Sequence, residues 1–81
     1  RYLSQRSLRG RISLYLLDQR ERTGSLSFCL PLTREDLAAL LAVNRSALSR
    51  ELGRMEQEGL LARYKNAFKL LDIPALERAA Q

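Results

Sequence analysis

A mainly α fold with a small β-sheet, an α+β domain, is predicted by three observations. Apolar residues recur at helical spacing in three segments, around residues 8–16, 37–41 and 48–55. The last two segments are separated by a short polar break that opens on an asparagine. Two strand-like runs follow, joined by a polar turn, and an earlier run alternates apolar with small polar residues. The chain has 81 residues, a single domain over 1–81. At this size only about 60–65% of the unfolded surface can be buried, which leaves little room for a deep catalytic pocket.

Each element has its own signal. SLRGRISLYLLDQRERTG carries Leu8, Ile12, Tyr15 and Leu16 at helical spacing and stops at Gly24, a C-terminal breaker, giving a helix of about four to five turns. The arginines in and beside it, Arg6, Arg9, Arg11, Arg20 and Arg22, would also suit a membrane surface or a dimer helix, but its apolar stripe is what any packed helix needs. SLSFCLPLT alternates Leu26, Phe28 and Leu30 against Ser25, Ser27 and Cys29, a half-buried strand ended by Pro31. In TREDLAALL, Thr33 and Asp36 match the Ser/Thr-x-x-acid capping pattern, Glu35 and Asp36 suit the positive end of the helix dipole, and Leu37, Leu40 and Leu41 form the apolar stripe.

That helix has ended by LAVN, and Asn44 is the N-cap of the next, NRSALSRELGRMEQEG. Two helices this close read as a helix-turn-helix; an isolated αα-hairpin would look similar, and small Ala38 where the second must cross the first, with the basic outer face of the second helix, favours the DNA-binding version. After Gly59, residues 60–64 and 68–71 form two strands joined by KNA, a turn in which Asn66 tolerates left-handed backbone angles. The hairpin bears Arg63, Lys65 and Lys69 and no acid before Asp72, so it reads as a wing placed to touch a phosphate backbone. DIPALERAAQ, with Pro74 near its first turn, is a short terminal helix. The whole is a winged helix-turn-helix.

The helix that opens at Asn44 has two unlike sides. Leu48, Leu52 and Met55 fall on one narrow buried stripe. Ser46, Ser49, Arg50, Gly53 and Gln57 lie roughly opposite, with Arg45 and Arg54 toward the flanks. An ordinary solvated face would mix Glu with Lys and use long helix formers. This one is small, basic and free of acid, which allows close approach by something negative or rich in acceptors; taken alone, the helix also fits a solvated basic face.

Charge and composition narrow the classes. Hydrophobic content of 46% belongs to a folded domain rather than a disordered one. Lys and Arg exceed Asp and Glu by 14 to 9, a net +5 with a pI near 10.1, which favours a polyanionic partner, nucleic acid or an anionic membrane, without deciding between them. There is no histidine and one cysteine, which removes most zinc sites, intrachain disulfides and histidine-based triads. Without a coherent acid pair or a glycine-rich phosphate loop, no enzyme is expected. Cys29 is expected to be a small core residue. No apolar run approaches ~20 residues and no signal-peptide pattern occurs, so no membrane partner and a cytoplasmic location are expected. A chain that starts at Arg1 rather than Met is expected to be a piece of a longer protein.

The run LPLTREDLAALLAVNRSALSRELGRMEQEGLLARYKNAFKLLD resembles the C-terminal winged-helix domain of the Crp/Fnr superfamily of bacterial transcription regulators. The marks are LTREDLA, the VNRSALSR opening of the second helix, and MEQEGLL leading into the wing. The resemblance implies that Arg45, Ser46, Ser49 and Arg50 are presented to DNA; Ser46 departs from the family, where Glu is usual. It also implies an N-terminal β-roll effector domain and a long dimerisation helix outside this stretch, with residues 1–3 as the end just after that helix. The effector, whether cyclic nucleotide, iron–sulfur cluster, haem or another small molecule, would bind there, and no cofactor is expected in this domain.

The expected function is sequence-specific binding of double-stranded DNA as the output domain of a dimeric, effector-controlled regulator. Arg45, Ser46, Ser49 and Arg50 are the candidate base readers, Arg50 bidentate on a guanine edge. Thr33, Asn44, Arg54, Arg63, Lys65, Asn66 and Lys69 are the candidate backbone contacts. The operator would be pseudo-palindromic, the full-length protein a homodimer and this stretch alone a monomer, with RNA polymerase a candidate protein partner. The alternative is a winged helix used for protein contacts, which would need an exposed apolar or aromatic anchor on the second helix.

Overall fold

The computed structural model describes residues 5–81, so the expectation for residues 1–3 lies outside the described residues. Four helices and three strands follow in the order α1 (Leu8–Thr23), β1 (Ser27–Cys29), α2 (Arg34–Leu40), α3 (Arg45–Gln57), β2 (Leu61–Tyr64), β3 (Ala67–Leu70) and α4 (Ile73–Ala79). The sheet is antiparallel with β3 in the centre, flanked by β1 and β2. This is the α+β winged helix-turn-helix that the spacing predicts.

The caps explain the boundaries. Ser7 Oγ accepts from the Gly10 amide at 2.9 Å, Thr33 Oγ1 from Asp36 at 3.1 Å, Asn44 Oδ1 from Ala47 at 2.8 Å and Asp72 Oδ1 from Ala75 at 3.1 Å, so all four helices open on a side-chain oxygen that takes an otherwise unpaired N–H. At the other end of α1, Gly24 takes the left-handed conformation (φ 68°) and donates to the Arg20 carbonyl.

The helix-turn-helix corner is closed by the same device with a less suited residue. Val43 donates to the Ala38 carbonyl and Ala42 to that of Ala39, a pair of bonds that requires Ala42 to be left-handed, at φ 57°. The end of α3 repeats the pattern, Leu60 to Met55 and Gly59 to Glu56, with glycine at the left-handed position, φ 80°. Alanine in that conformation costs about 1–2 kcal/mol, part of which glycine returns to the unfolded chain as entropy. Ala42→Gly is therefore expected to stabilise the domain by up to about 1 kcal/mol, read as a shift in urea midpoint at unchanged m; a loss of stability would show that the Ala42 methyl makes a contact the corner needs.

The core is continuous. Ile12, Tyr15 and Leu16 of α1, Leu37 of α2 with Leu41 beyond it, Leu48, Leu52 and Met55 of α3, Phe68 and Leu70 of β3 and Leu76 of α4 are all buried. Ala38 is buried where α2 meets α3, as the close crossing requires. On the far side Gly10 brings α1 against α4, where an added Cβ would stand 2.8 Å from the Ala79 carbonyl oxygen.

Five expectations about individual residues need correction. Leu40 is exposed rather than part of the α2 stripe, because Leu37, Ala38 and Leu41 set a buried face that lies roughly 100° round the helix from it. Leu26 is exposed although its carbonyl already accepts from the Leu70 amide at 2.8 Å, because its side chain sits on the rim of the sheet beside the end of α1. Cys29 is exposed, not core: it alternates with Phe28 and Leu30 and so points to the outer side of the sheet, opposite Ala67. In the hairpin, Ala67 belongs to β3, leaving a two-residue turn, and the left-handed residue is Lys65 (φ 56°) rather than Asn66.

Candidate nucleic-acid interface

The exposed side of α3 is assembled as its spacing requires. Leu48, Leu52 and Met55 are completely buried, which turns Ser46, Ser49 and Arg50 outward. The acids of the helix are held off this side. Glu51 is drawn to Arg9 and Arg54, with Arg54 Nη1 2.8 Å from its carboxylate, and Glu56 to Arg63 at 3.3 Å. Arg45 reaches Glu35 at 3.7 Å, a pair so exposed that it constrains neither side chain. Arg50 makes no ion pair among the described residues. The result is a strip of two hydroxyls and an unpaired guanidinium, with hydrogen-bonding capacity and no negative charge.

The backbone candidates fall into three places. Thr33 and Asn44 lie exposed at the first turns of α2 and α3, where their side-chain oxygens are already spent on caps. Arg63 faces the helices; its guanidinium lies near Gly53, where an added Cβ would stand 4.0 Å from Nη2, and Glu56 holds it there. Lys65 and Asn66 form the wing tip, where the Lys65 ammonium lies 5.4 Å from the centre of the Tyr64 ring. Lys69 lies on the other side of the sheet, in a shallow groove with Cys29, Ala62 and Tyr64. The sequence groups Arg63, Lys65, Asn66 and Lys69 as one wing surface; strand alternation puts Arg63 and Lys69 on opposite faces.

Three arginines make long-range contacts that escape sequence reading. Arg34, the first residue of α2, donates to the Lys65 carbonyl at 2.6 Å and stacks 4.9 Å above the centre of the Phe68 ring. Burial, then the nearby charges of Arg63 and Arg45, hold its pKa below the usual guanidinium value. Positive charge thus converges where the starts of α2 and α3 meet the wing. Arg11 donates to the Leu41 carbonyl at 3.2 Å, bracing the helix-turn-helix corner from α1. Arg9 clamps α1 to α3, contacting Glu51 at 2.5 Å and Glu58 through two bonds of 2.8 Å. No local motif announces these contacts, since each partner lies far along the chain.

The Arg9 clamp has a pH signature. Hydrogen bonding from Arg9 lowers the Glu58 pKa from its ordinary value of 4.5. The unfolded state then binds the proton more readily, so this contribution is complete above the ordinary value and lost as pH falls through the lowered one. In Glu58→Gln the acid-induced loss of stability should be shallower than in the parent, measured by denaturation across that window. Identical profiles would show that the pair does not persist in solution.

The comparisons agree with this geometry. Residues 10–79 match the model of the Crp-like helix-turn-helix domain. A CRP-family transcriptional regulator from Thermus thermophilus is 33% identical, with a TM-score of 0.79 over 98% of this chain and 43% of its own. FixK2 from Bradyrhizobium japonicum (20% identical, TM-score 0.86, 98% of this chain and 41% of its own) and the CO-dependent transcription factor CooA from Carboxydothermus hydrogenoformans (22%, 0.83, 98% and 39%) share the fold. No curated protein matches the chain. The chain thus spans less than half the length of these solved relatives. With its helix-turn-helix and wing in place, it belongs to the family of Crp-like helix-turn-helix domains, the DNA-binding output domains of transcription regulators.

Proposed function

We propose that α3 enters the major groove of double-stranded DNA and reads bases through Arg45, Ser46, Ser49 and Arg50. The observation that carries this reading is the strip around Arg50, exposed and acid-free because every glutamate of α3 is engaged by an arginine to one side of it. Arg50 supplies the fork that matches the O6 and N7 acceptors of guanine, and the two serines are short enough to let the helix seat deeply. Thr33, Asn44 and Arg54 flank the groove, and Lys65 and Asn66 carry the wing to the phosphates. Arg63 acts from the junction of helix and wing, and Lys69 supplies field rather than contact, since it faces the outer side of the sheet.

The domain works as one half of a dimeric, effector-controlled regulator whose other parts lie outside this chain, in the cytoplasm with the DNA. The similarity to a longer transcriptional regulator supports this. The competing use of the fold, docking onto a protein, needs an apolar anchor on α3, and among the described residues the exposed large apolar side chains, Leu26, Leu40, Tyr64 and Leu71, all lie elsewhere. No helix among the described residues is long and apolar enough to cross a membrane.

Selection of sites from a random DNA pool tests this reading. Two copies joined by a flexible linker should enrich a pseudo-palindrome with half-sites about one helical turn apart, whereas a single copy, monomeric in sedimentation, should bind weakly and mostly through salt-dependent contacts. Absence of any enriched sequence from the linked pair would remove base reading.

A further inference from the structure

The turn of the wing has two carbonyls to place, and each is fixed to a different part of the domain. The Asn66 carbonyl accepts from the Leu30 amide at 2.9 Å, which ties it to the end of β1. The Lys65 carbonyl accepts from Arg34 Nη2 at 2.6 Å, which ties it to the start of α2. Arg34 Nη1 also lies 3.5 Å from Asn66 Oδ1, and the flat face of the guanidinium covers Phe68. Lys65 itself is left-handed at φ 56°, a conformation that a residue with a Cβ keeps only where its surroundings hold it. The contact spans 31 positions of sequence and joins the wing directly to the first residue of the helix-turn-helix.

We propose that Arg34 is a positioning residue for the wing: by holding the Lys65 carbonyl it fixes the tip relative to α3, so that helix and wing meet DNA as one rigid surface. This rests on the DNA reading above. A guanidinium has a planar fork and two flat faces, and here one edge is committed to the turn and one face to Phe68. The role is therefore specific to arginine. A lysine would keep the charge but could neither cover the ring in the same way nor reach two acceptors of the turn.

A direct phosphate contact would behave differently, since lysine serves a phosphate well as a point charge. With the 81-residue chain, Arg34→Lys and Arg34→Ala are each expected to weaken binding to the selected DNA site by roughly tenfold, and by similar factors. Lys65→Ala should cost clearly less in the Arg34→Ala background than in the parent, because the tip is already unplaced. In the free protein, 15N relaxation should show the amides of Lys65, Asn66 and Ala67 becoming mobile in both Arg34 variants, while those of α3 stay ordered and so report that the domain remains folded. Near-parent binding by Arg34→Lys, additive costs with Lys65→Ala, or an ordered tip in Arg34→Ala would each overturn the proposal. A parent chain that does not bind DNA would defeat the underlying reading instead, and the relaxation result would still show whether Arg34 holds the turn.

Discussion

Leu52→Ala is expected to lower the unfolding free energy by about 2–5 kcal/mol, through lost transfer energy and the cavity left behind. Leu52 is completely buried at the middle of the α3 stripe, between Leu48 and Met55, so there is no solvent-facing route by which the gap can relax. A domain of this size has a total stability of only about 4–12 kcal/mol. The melting temperature should therefore fall by more than about 10 °C, and DNA binding should fail with it as α3 loses its seat. Gln57→Ala, on the exposed side of the same helix, should shift stability by less than about 0.5 kcal/mol. Urea denaturation of the two variants checks the orientation of the helix: a loss below about 1 kcal/mol for Leu52→Ala would mean that its packed face is wrongly assigned.

Arg50→Ala should leave stability nearly unchanged, because the side chain is exposed and unpaired among the described residues, yet it should cost about 1–3 kcal/mol on the selected DNA site. On random DNA the loss should be small, since the guanidinium is placed to match acceptors on a base edge rather than to hold a phosphate. Lys65→Ala, at the wing tip, should instead weaken both kinds of DNA alike. Competition titrations at several salt concentrations separate the two behaviours. An Arg50→Ala variant that loses as much on random as on selected DNA would place Arg50 on the backbone.

What the sequence shows of this domain is what local chemistry can encode. The caps at Thr33 and Asn44, the stop at Gly24, the stripe of Leu48, Leu52 and Met55 and the outward serines all depend on residues within two turns of one another, and all appear in the structure as their spacing requires. Leu26, Leu40 and Cys29 show the limit. Apolar character and alternation do not reveal which face of a strand or which edge of a stripe another element covers, and those facts decide burial. The wing turn fails for a related reason. Asn66 has the better intrinsic tolerance for left-handed angles, but the register Tyr64 opposite Ala67 and the Arg34 bond put that conformation on Lys65.

The candidate interface divides the same way. Arg45, Ser46, Ser49 and Arg50 are legible because one helix presents them. The arginines that brace that helix are not, because Arg9 meets Glu51 and Glu58, Arg11 meets Leu41, and Arg34 meets Lys65 only after the chain has folded. A row of basic residues in sequence thus holds two populations: guanidiniums spent inside the fold, and a smaller set left free for a partner.

The most direct test of α3 as a base reader is the chemical accessibility of guanine N7, which lies in the major groove. Dimethyl sulfate footprinting of the selected site, bound by the linked pair of domains, should show one guanine per half-site protected by the parent and exposed again in Arg50→Ala at saturating protein. Protection that is absent in the parent, or that persists unchanged in Arg50→Ala, would contradict the placement of Arg50 on a guanine edge.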